Sequence, residues 1–359
     1  MRISTLDALR GIAVALMVFV NCPGSWTHMY DLLRHAKNSG IYIADMVFPM
    51  FLWSVGFSMY CQFEKTYGSP EVSRAIENSK KPYRKIWIRG FILILLGMCL
   101  SFFGSCSLQN VRIPGILQRI GLIYLAFLLL LFFYPKWKYL VFVSLAIVFL
   151  SYLNLHLTHD FDWSLEVLKQ EDTWFAWVDR TLLGSDHLWK QSKNYDPEGL
   201  LSTLPAFLTS LHGFFYAKYR KHSKSRLRWL GFTLALAILS SFLFPIRKDD
   251  WTLSYASLTA ICISLLFLSL EKKSHWLGIT WFSILGRNAL FSFVFLGLVG
   301  RIPSFAKGRP SVFSQISSFL DPKLSSFVFS VLFLLILWGI VFFWDRFRSE
   351  LNPRQDLKT

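Results

Sequence analysis

The chain has 359 residues, of which 53% are hydrophobic and only 17% charged, and its mean hydropathy is +0.42. A soluble domain of this length needs a polar coat that this composition does not supply, so the surface is expected to face lipid. The formal charge of +16 does not signal nucleic acid, because the basic residues sit in short loops between apolar runs, with no glycine-rich phosphate loop and no zinc-type cysteine spacing.

A membrane-crossing helix needs about 20 mostly apolar residues. In chain order ten segments meet that requirement: 6–26, 42–62, 86–105, 113–134, 138–157, 199–217, 228–246, 251–270, 280–300 and 325–345. Backbone polar groups in lipid need partners within their own segment, so these runs are predicted to be helices. The period-2 alternation of a membrane β-barrel is absent. The predicted fold is all-α and polytopic, with about ten transmembrane helices in one domain over 1–359.

The first apolar run continues into Asn21 and Pro23 without a small-residue cleavage site, so no cleavable signal is expected. Basic residues concentrate in 63–85, 218–228 and 346–358, which by the positive-inside rule places both termini in the cytoplasm. The longest connection, 158–198, then lies on the outer side. At roughly 40 residues it is too long for a simple connector. Its Trp163, Trp174, Trp177 and Trp189 suit an interfacial anchor or a stacking face for a sugar. The five cysteines read as small apolar residues, although Cys22 and Cys106 could bridge on the outer side.

Ionisable groups inside spanning helices are costly unless paired or hydrated, so each is a functional candidate. Asp7 and Arg10 share a helix face, as a local ion pair or as ligands. Arg119 and Arg287 have no carboxylate one turn away. They need a partner from another helix (Asp45 or Asp7 for Arg119) or an anionic ligand, and arginine suits a phosphate-bearing one. His212 reads as a packing histidine. His28 and His35 lie in the outer loop 27–41, where an imidazole can act as base or nucleophile or simply be hydrated. The amide of Asn21 either bonds a neighbouring helix or holds a carbonyl oxygen.

Several blocks spell a recognisable pattern: LDALRGIAVALMVFVNCPGSW (6–26), LRHAKNSGIYIADMVFPMFLW (33–53), RIPGILQRIGLIY (112–124), VDRTLLGSDHLW (178–189), YDPEGLLSTLPA (195–206), WTLSYA (251–256) and LGRNALF (285–291). Together, and in this order, they resemble the heparan-α-glucosaminide N-acetyltransferase family of the wider transmembrane acyltransferases. The resemblance implies that acetyl-CoA is taken from the cytoplasmic side and that a glucosamine on the far side of the bilayer is acetylated. It implies His35 as the catalytic histidine, Asn21 as its companion, and Asp45 as a residue that orients the imidazole or binds acceptor. It places the Asp196-Pro197-Glu198-Gly199 block at the outer mouth of a helix. Lysosomal members carry an extra luminal domain and helix, so a chain starting at the core is expected to be a bacterial inner-membrane protein, by analogy a homodimer. The acceptor is then another amino sugar or a cell-envelope glycan.

The expected mechanism is a pore through the bundle. The phosphates of acetyl-CoA sit near Arg10, Arg119 and Arg287, and the thioester reaches Asn21 and His35. His187, Asp196 and Glu198 contact acceptor, and no metal is called for. A transporter or flippase of a sugar or lipid-linked glycan is the rival reading, since polar residues within a bundle fit that class too. A non-catalytic scaffold would need neither His35 nor Asn21.

Overall fold

The structure, a computed structural model, describes residues 3–36, 39–67, 81–133, 137–158, 160, 162–273 and 276–351. Much of the basic connection 63–85 therefore lies outside the described residues, as does the end of the basic C-terminal stretch. Among the described residues the fold is helical throughout, without a β-strand: α1 Ser4–Asn21, α2 Val47–Tyr67, α3 Lys81–Ser105, α4 Ile116–Phe133, α5 Trp137–His156, α6 Trp174–Leu183, α7 Thr203–Tyr219, α8 Ser223–Leu243, α9 Leu253–Lys272, α10 Leu277–Arg287, α11 Ala289–Val299, α12 Pro303–Ser317 and α13 Pro322–Leu351.

Every segment predicted to span is helical, but not every one is a straight, full-length span. Among the described residues seven stretches are long and apolar enough to cross a membrane: Ser4–Asn21, Ile43–Lys65, Ile86–Ser105, Tyr139–His156, Ser223–Leu243, Leu253–Lys272 and Pro322–Glu350. An eighth is the pair α10 and α11, bent by 66°. That bend has a polar cause. The side chain of Asn288, at the joint, donates to Ile284 O at 3.1 Å and to Asp345 Oδ1 at 2.9 Å, and Arg287 pairs with the other oxygen of Asp345 at 2.8 Å. An amide inserted among helix carbonyls is a recognised source of kinks.

The two remaining predicted spans are shorter. In α4 the apolar helix is Ile116–Leu130, and α7 has 17 residues. The start of α7 is delayed because residues 196–199 form a turn, closed by Gly199 N–H donating to Asp196 O at 2.9 Å. Arg119 donates to the carbonyls of Pro197 and Gly199 at 2.8 and 3.4 Å, and carbonyls engaged this way are withheld from a helix.

The chain forms two compact units. The first comprises Met1–Lys37, Ile41–Phe51 and Leu265–Thr359. Its core gathers Val14, Val18, Leu285, Leu337 and Val341 from α1, α10 and α13. Here α1 and α10 cross in near backbone contact: a Cβ on Gly11 would collide with Phe282 O, and one on Gly286 with Asp7 O. Without a hydrophobic drive between helices in lipid, small residues that let backbones approach are what hold such a crossing. The second unit comprises Asn38–Gly40 and Leu52–Ser264. It repeats the device between α2 and α7, where Gly56 abuts Ser210 O and Gly213 abuts Trp53 O. The five cysteines are free thiols, so no Cys22–Cys106 bridge forms.

Candidate functional site

In the first unit α1 ends at Asn21, and a loop carries the chain to the turn Ile43–Met46 that leads into α2. His35 lies in that loop. Its Nδ1 stands 2.8 Å from Asp45 Oδ1. The second oxygen of Asp45 accepts the backbone N–H of Ala36 at 3.1 Å and of Tyr42 at 3.0 Å. Asp45 is 1% exposed, whereas the His35 side chain is 50% exposed.

A carboxylate holding two backbone donors and one imidazole is an acceptor on every side. Nδ1 must then carry the proton and donate it to Asp45, which leaves the imidazole lone pair on Nε2. One buried carboxylate fixes both the tautomer and the orientation of a ring that reaches solvent. This is the base-plus-orienter geometry used for general-base and nucleophilic catalysis.

Asn21 is exposed at the last residue of α1, rather than buried against a neighbouring helix. Among the described residues its amide makes no side-chain hydrogen bond, including none to the His35–Asp45 pair. His28 belongs to a separate feature of the same loop, with its Nδ1 3.0 Å from the Ser25 hydroxyl.

Two of the arginines singled out by sequence sit beside the glycines of the α1–α10 crossing. Arg10 adjoins Gly11, and Arg287 adjoins Gly286, whose Cα faces the backbone of Asp7 and Gly11. Arg10 lies 3.5 Å from Asp7, the one-turn pair anticipated from spacing. Arg287 takes its carboxylate from Asp345, on another helix.

In the second unit the structure brings Arg119, His187, Asp196 and Glu198 into one assembly whose centre, Arg112, sequence reasoning passed over. Arg112 Nε donates to Asp196 Oδ2 at 2.8 Å, its Nη2 reaches Asp196 Oδ1, and the same nitrogen pairs with Glu198. His187 Nδ1 donates to Val111 O at 2.8 Å, and Ile113 N–H donates to His187 O at 2.9 Å. The histidine thus straps the Arg112 segment in place. Arg119, 1% exposed, packs over Trp251 at 5.4 Å and holds the 196–199 turn through its carbonyls. Burial opposes ionisation of Glu198, but the Arg112 and Arg119 charges outweigh it and hold the carboxyl below its ordinary value. Asp179 differs. Burial dominates and pushes its carboxyl up to about 7 despite the Leu200 N–H that it accepts. The one sequence signal for Arg112 was its place at the head of the RIPG block.

His212 Nδ1 donates to Leu208 O, one turn back, at 2.8 Å, as a packing histidine does. Among the described residues no group of three or more His, Cys, Asp or Glu is arranged to hold a metal.

Apolar helices with a fixed imidazole–carboxylate pair in the loop after α1 define a polytopic α-helical membrane protein with a polar site at a helix end. The chain belongs to the heparan-α-glucosaminide N-acetyltransferase family: the model of that family's catalytic region matches residues 2–231. The mouse and human proteins of that name are each 27% identical to it, over 360 and 365 residues. Each alignment covers 82% of this chain, with 53% of the mouse and 52% of the human protein. The chain thus spans about half the length of the curated relatives it matches.

Proposed function

We propose that this protein transfers an acetyl group from cytoplasmic acetyl-CoA to an acceptor on the opposite side of the membrane, an amino sugar or a cell-envelope glycan. The observation that carries the reading is the His35–Asp45 pair at 2.8 Å, in a chain whose relatives are named as N-acetyltransferases. In the direct route the acceptor nitrogen attacks the thioester carbonyl and gives its proton to His35 Nε2. The C–N bond forms, the C–S bond breaks, and the coenzyme A sulfur leaves with the proton that the imidazolium returns. In the covalent route Nε2 attacks the thioester carbonyl, the C–S bond breaks and coenzyme A leaves as the thiolate. The acceptor nitrogen then attacks the acetyl carbon, the Nε2–C bond breaks, and the amine proton passes to the thiolate. Asp45 stabilises the positive imidazole in both.

Asn21 donates to the oxyanion that develops on the thioester carbonyl, a contribution typically worth about 10²–10³ in turnover. Its exposed amide suits that role. Arg10 and Arg287 on one crossing are assigned to coenzyme phosphates, whereas Arg119, committed to the 196–199 turn, positions the Asp196–Glu198 block. Both Arg10 and Arg287 remain partly exposed at 25% and 35%. His187, Asp196 and Glu198 are assigned to the acceptor side. Asp196 and Glu198 act there from positions set by Arg112. The protein works as an integral protein of a bacterial inner membrane with both termini cytoplasmic.

The bent pair α10–α11 is the observation that favours a carrier, since transporters build sites on discontinuous helices. Acetyl-CoA-dependent thermal stabilisation together with acetylated product supports the transferase. Counterflow of an unmodified sugar without acetylation would replace it with the carrier.

A further inference from the structure

In the second unit the connection from α7 to α8 crowds cations at one end of an apolar helix. Residues 218–228 hold Lys218, Arg220, Lys221, Lys224, Arg226 and Arg228 and no acid. Like charges this close repel one another unless they are countered. Lys218 Nζ lies over the Phe215 and Tyr219 rings, 5.9 and 5.3 Å from their centroids, and the Arg220 guanidinium lies over Phe57 at 5.1 Å. Lys221 pairs with Glu64 at 2.7 Å. Lys224 and Arg228 are exposed and one turn apart, with Arg228 Nε donating to Lys224 O at 3.4 Å. Among the described residues neither has a carboxylate within ion-pair distance.

The faces of α8 decide what these two cations meet. Trp229 packs inward on Phe215 and Tyr219, with ring centroids 5.3 and 5.6 Å apart, and Leu230, Thr233, Ala237 and Ser240 are buried on the same side. Helical spacing turns residues 224, 228, 231, 235 and 242 to the opposite side, and all five are exposed. Because α8 is long and apolar enough to cross a membrane, that exposed stripe faces lipid. A Cβ on Gly231 would meet nothing within 4 Å, so the stripe is open just below the cations, with the exposed Leu227 and Phe232 on either flank. A cationic pair at the head of an apolar stripe matches a phospholipid whose phosphate carries no balancing amine. The phosphate takes the Arg228 fork and the Lys224 ammonium, and an acyl chain runs down α8 past Gly231. A zwitterionic phospholipid brings its own cation and gains less, and a soluble anion gains nothing from the stripe.

We propose that Lys224 and Arg228 form a binding site for an anionic phospholipid in the leaflet at this end of α8. The site holds whichever reaction the protein performs. The test is native mass spectrometry of the full chain released from nanodiscs that mix phosphatidylglycerol and phosphatidylcholine of the same acyl chains. Phosphatidylglycerol is expected to be retained about tenfold over phosphatidylcholine. Lys224→Gln combined with Arg228→Gln is expected to lose that excess, and Arg228→Lys, which keeps the charge without the planar fork, to keep part of it. Lys272→Gln combined with Lys273→Gln removes the same charge from another connection and is expected to leave the excess intact. Phosphatidylglycerol is also expected to raise the melting temperature of the unsubstituted protein but not of the 224/228 variant, whose melting temperature in phosphatidylcholine alone is unaltered. Equal retention of the two lipids by the unsubstituted protein, an excess that survives in the 224/228 variant, or an equal loss in the 272/273 variant overturns the proposal.

Discussion

Asp45 divides its two oxygens between His35 Nδ1 at 2.8 Å and the backbone N–H groups of Ala36 and Tyr42, so one carboxylate both folds the loop and aims the imidazole. Asp45→Asn keeps the shape but removes the charge that stabilises an imidazolium and selects the tautomer. Turnover is expected to fall about 10²–10⁴-fold with the acceptor KM little changed. Steady-state kinetics on a variant with an unaltered melting temperature checks this. A fall in acceptor affinity with intact turnover would instead make Asp45 a binding residue.

Arg112 carries two carboxylates at once, and neither is well exposed: the Asp196 and Glu198 side chains are 0% and 14% accessible. Arg112→Ala leaves both charges without their cation. Removing one partner of a buried pair typically costs about 3–5 kcal/mol. A lowered melting temperature is expected, with partial recovery in Arg112→Lys.

The Asp179 carboxyl, raised by burial to about 7, sets a pH dependence of known sign. Between the unfolded value near about 4 and the folded value, the folded chain binds the extra proton. The stability contributed by the neutral acid is complete below the lower value and is lost as pH rises through the higher one. Hydrogen exchange at residues 199–201, which lie against this side chain, is expected to quicken as pH rises from about 4 to 7, after correction for intrinsic exchange. Asp179→Asn should flatten the profile.

The α1–α10 crossing makes a steric prediction with an internal control. A Cβ at Gly286 would overlap Asp7 O, whereas one at Gly308 meets nothing within 4 Å. Gly286→Ala is expected to destabilise by about 1–3 kcal/mol or more, since backbone must move. Gly308→Ala, within α12, is expected to be neutral or slightly stabilising. Thermal denaturation of the two variants side by side tests the contrast.

The helices were legible in the sequence because lipid imposes one rule on every spanning segment, and that rule is local. Their interruptions were not. The break at Asn288 depends on Asp345, 57 residues away, and the late start of α7 depends on Arg119. The polar helix α12, with Pro310 inside it, carries no apolar run to betray it. In the candidate site, His35, Asn21 and Asp45 stood out through the family's blocks, and the Asp7–Arg10 pair through helical spacing. Arg112 escaped because it sits in a loop, where a cation needs no special explanation until its partners, 84 and 86 residues on, fold against it.

The central claim concerns one imidazole that joins a cytoplasmic donor to an outer acceptor. The most direct measurement uses sealed proteoliposomes, with acetyl-labelled acetyl-CoA supplied on the cytoplasmic face and an amino-sugar acceptor confined to the other side. Label is expected on the acceptor with the unsubstituted protein, and to fall by at least about 10²-fold with His35→Ala. Transfer by His35→Ala at the unsubstituted rate, or label that appears only on an acceptor placed on the donor's side, would contradict the account.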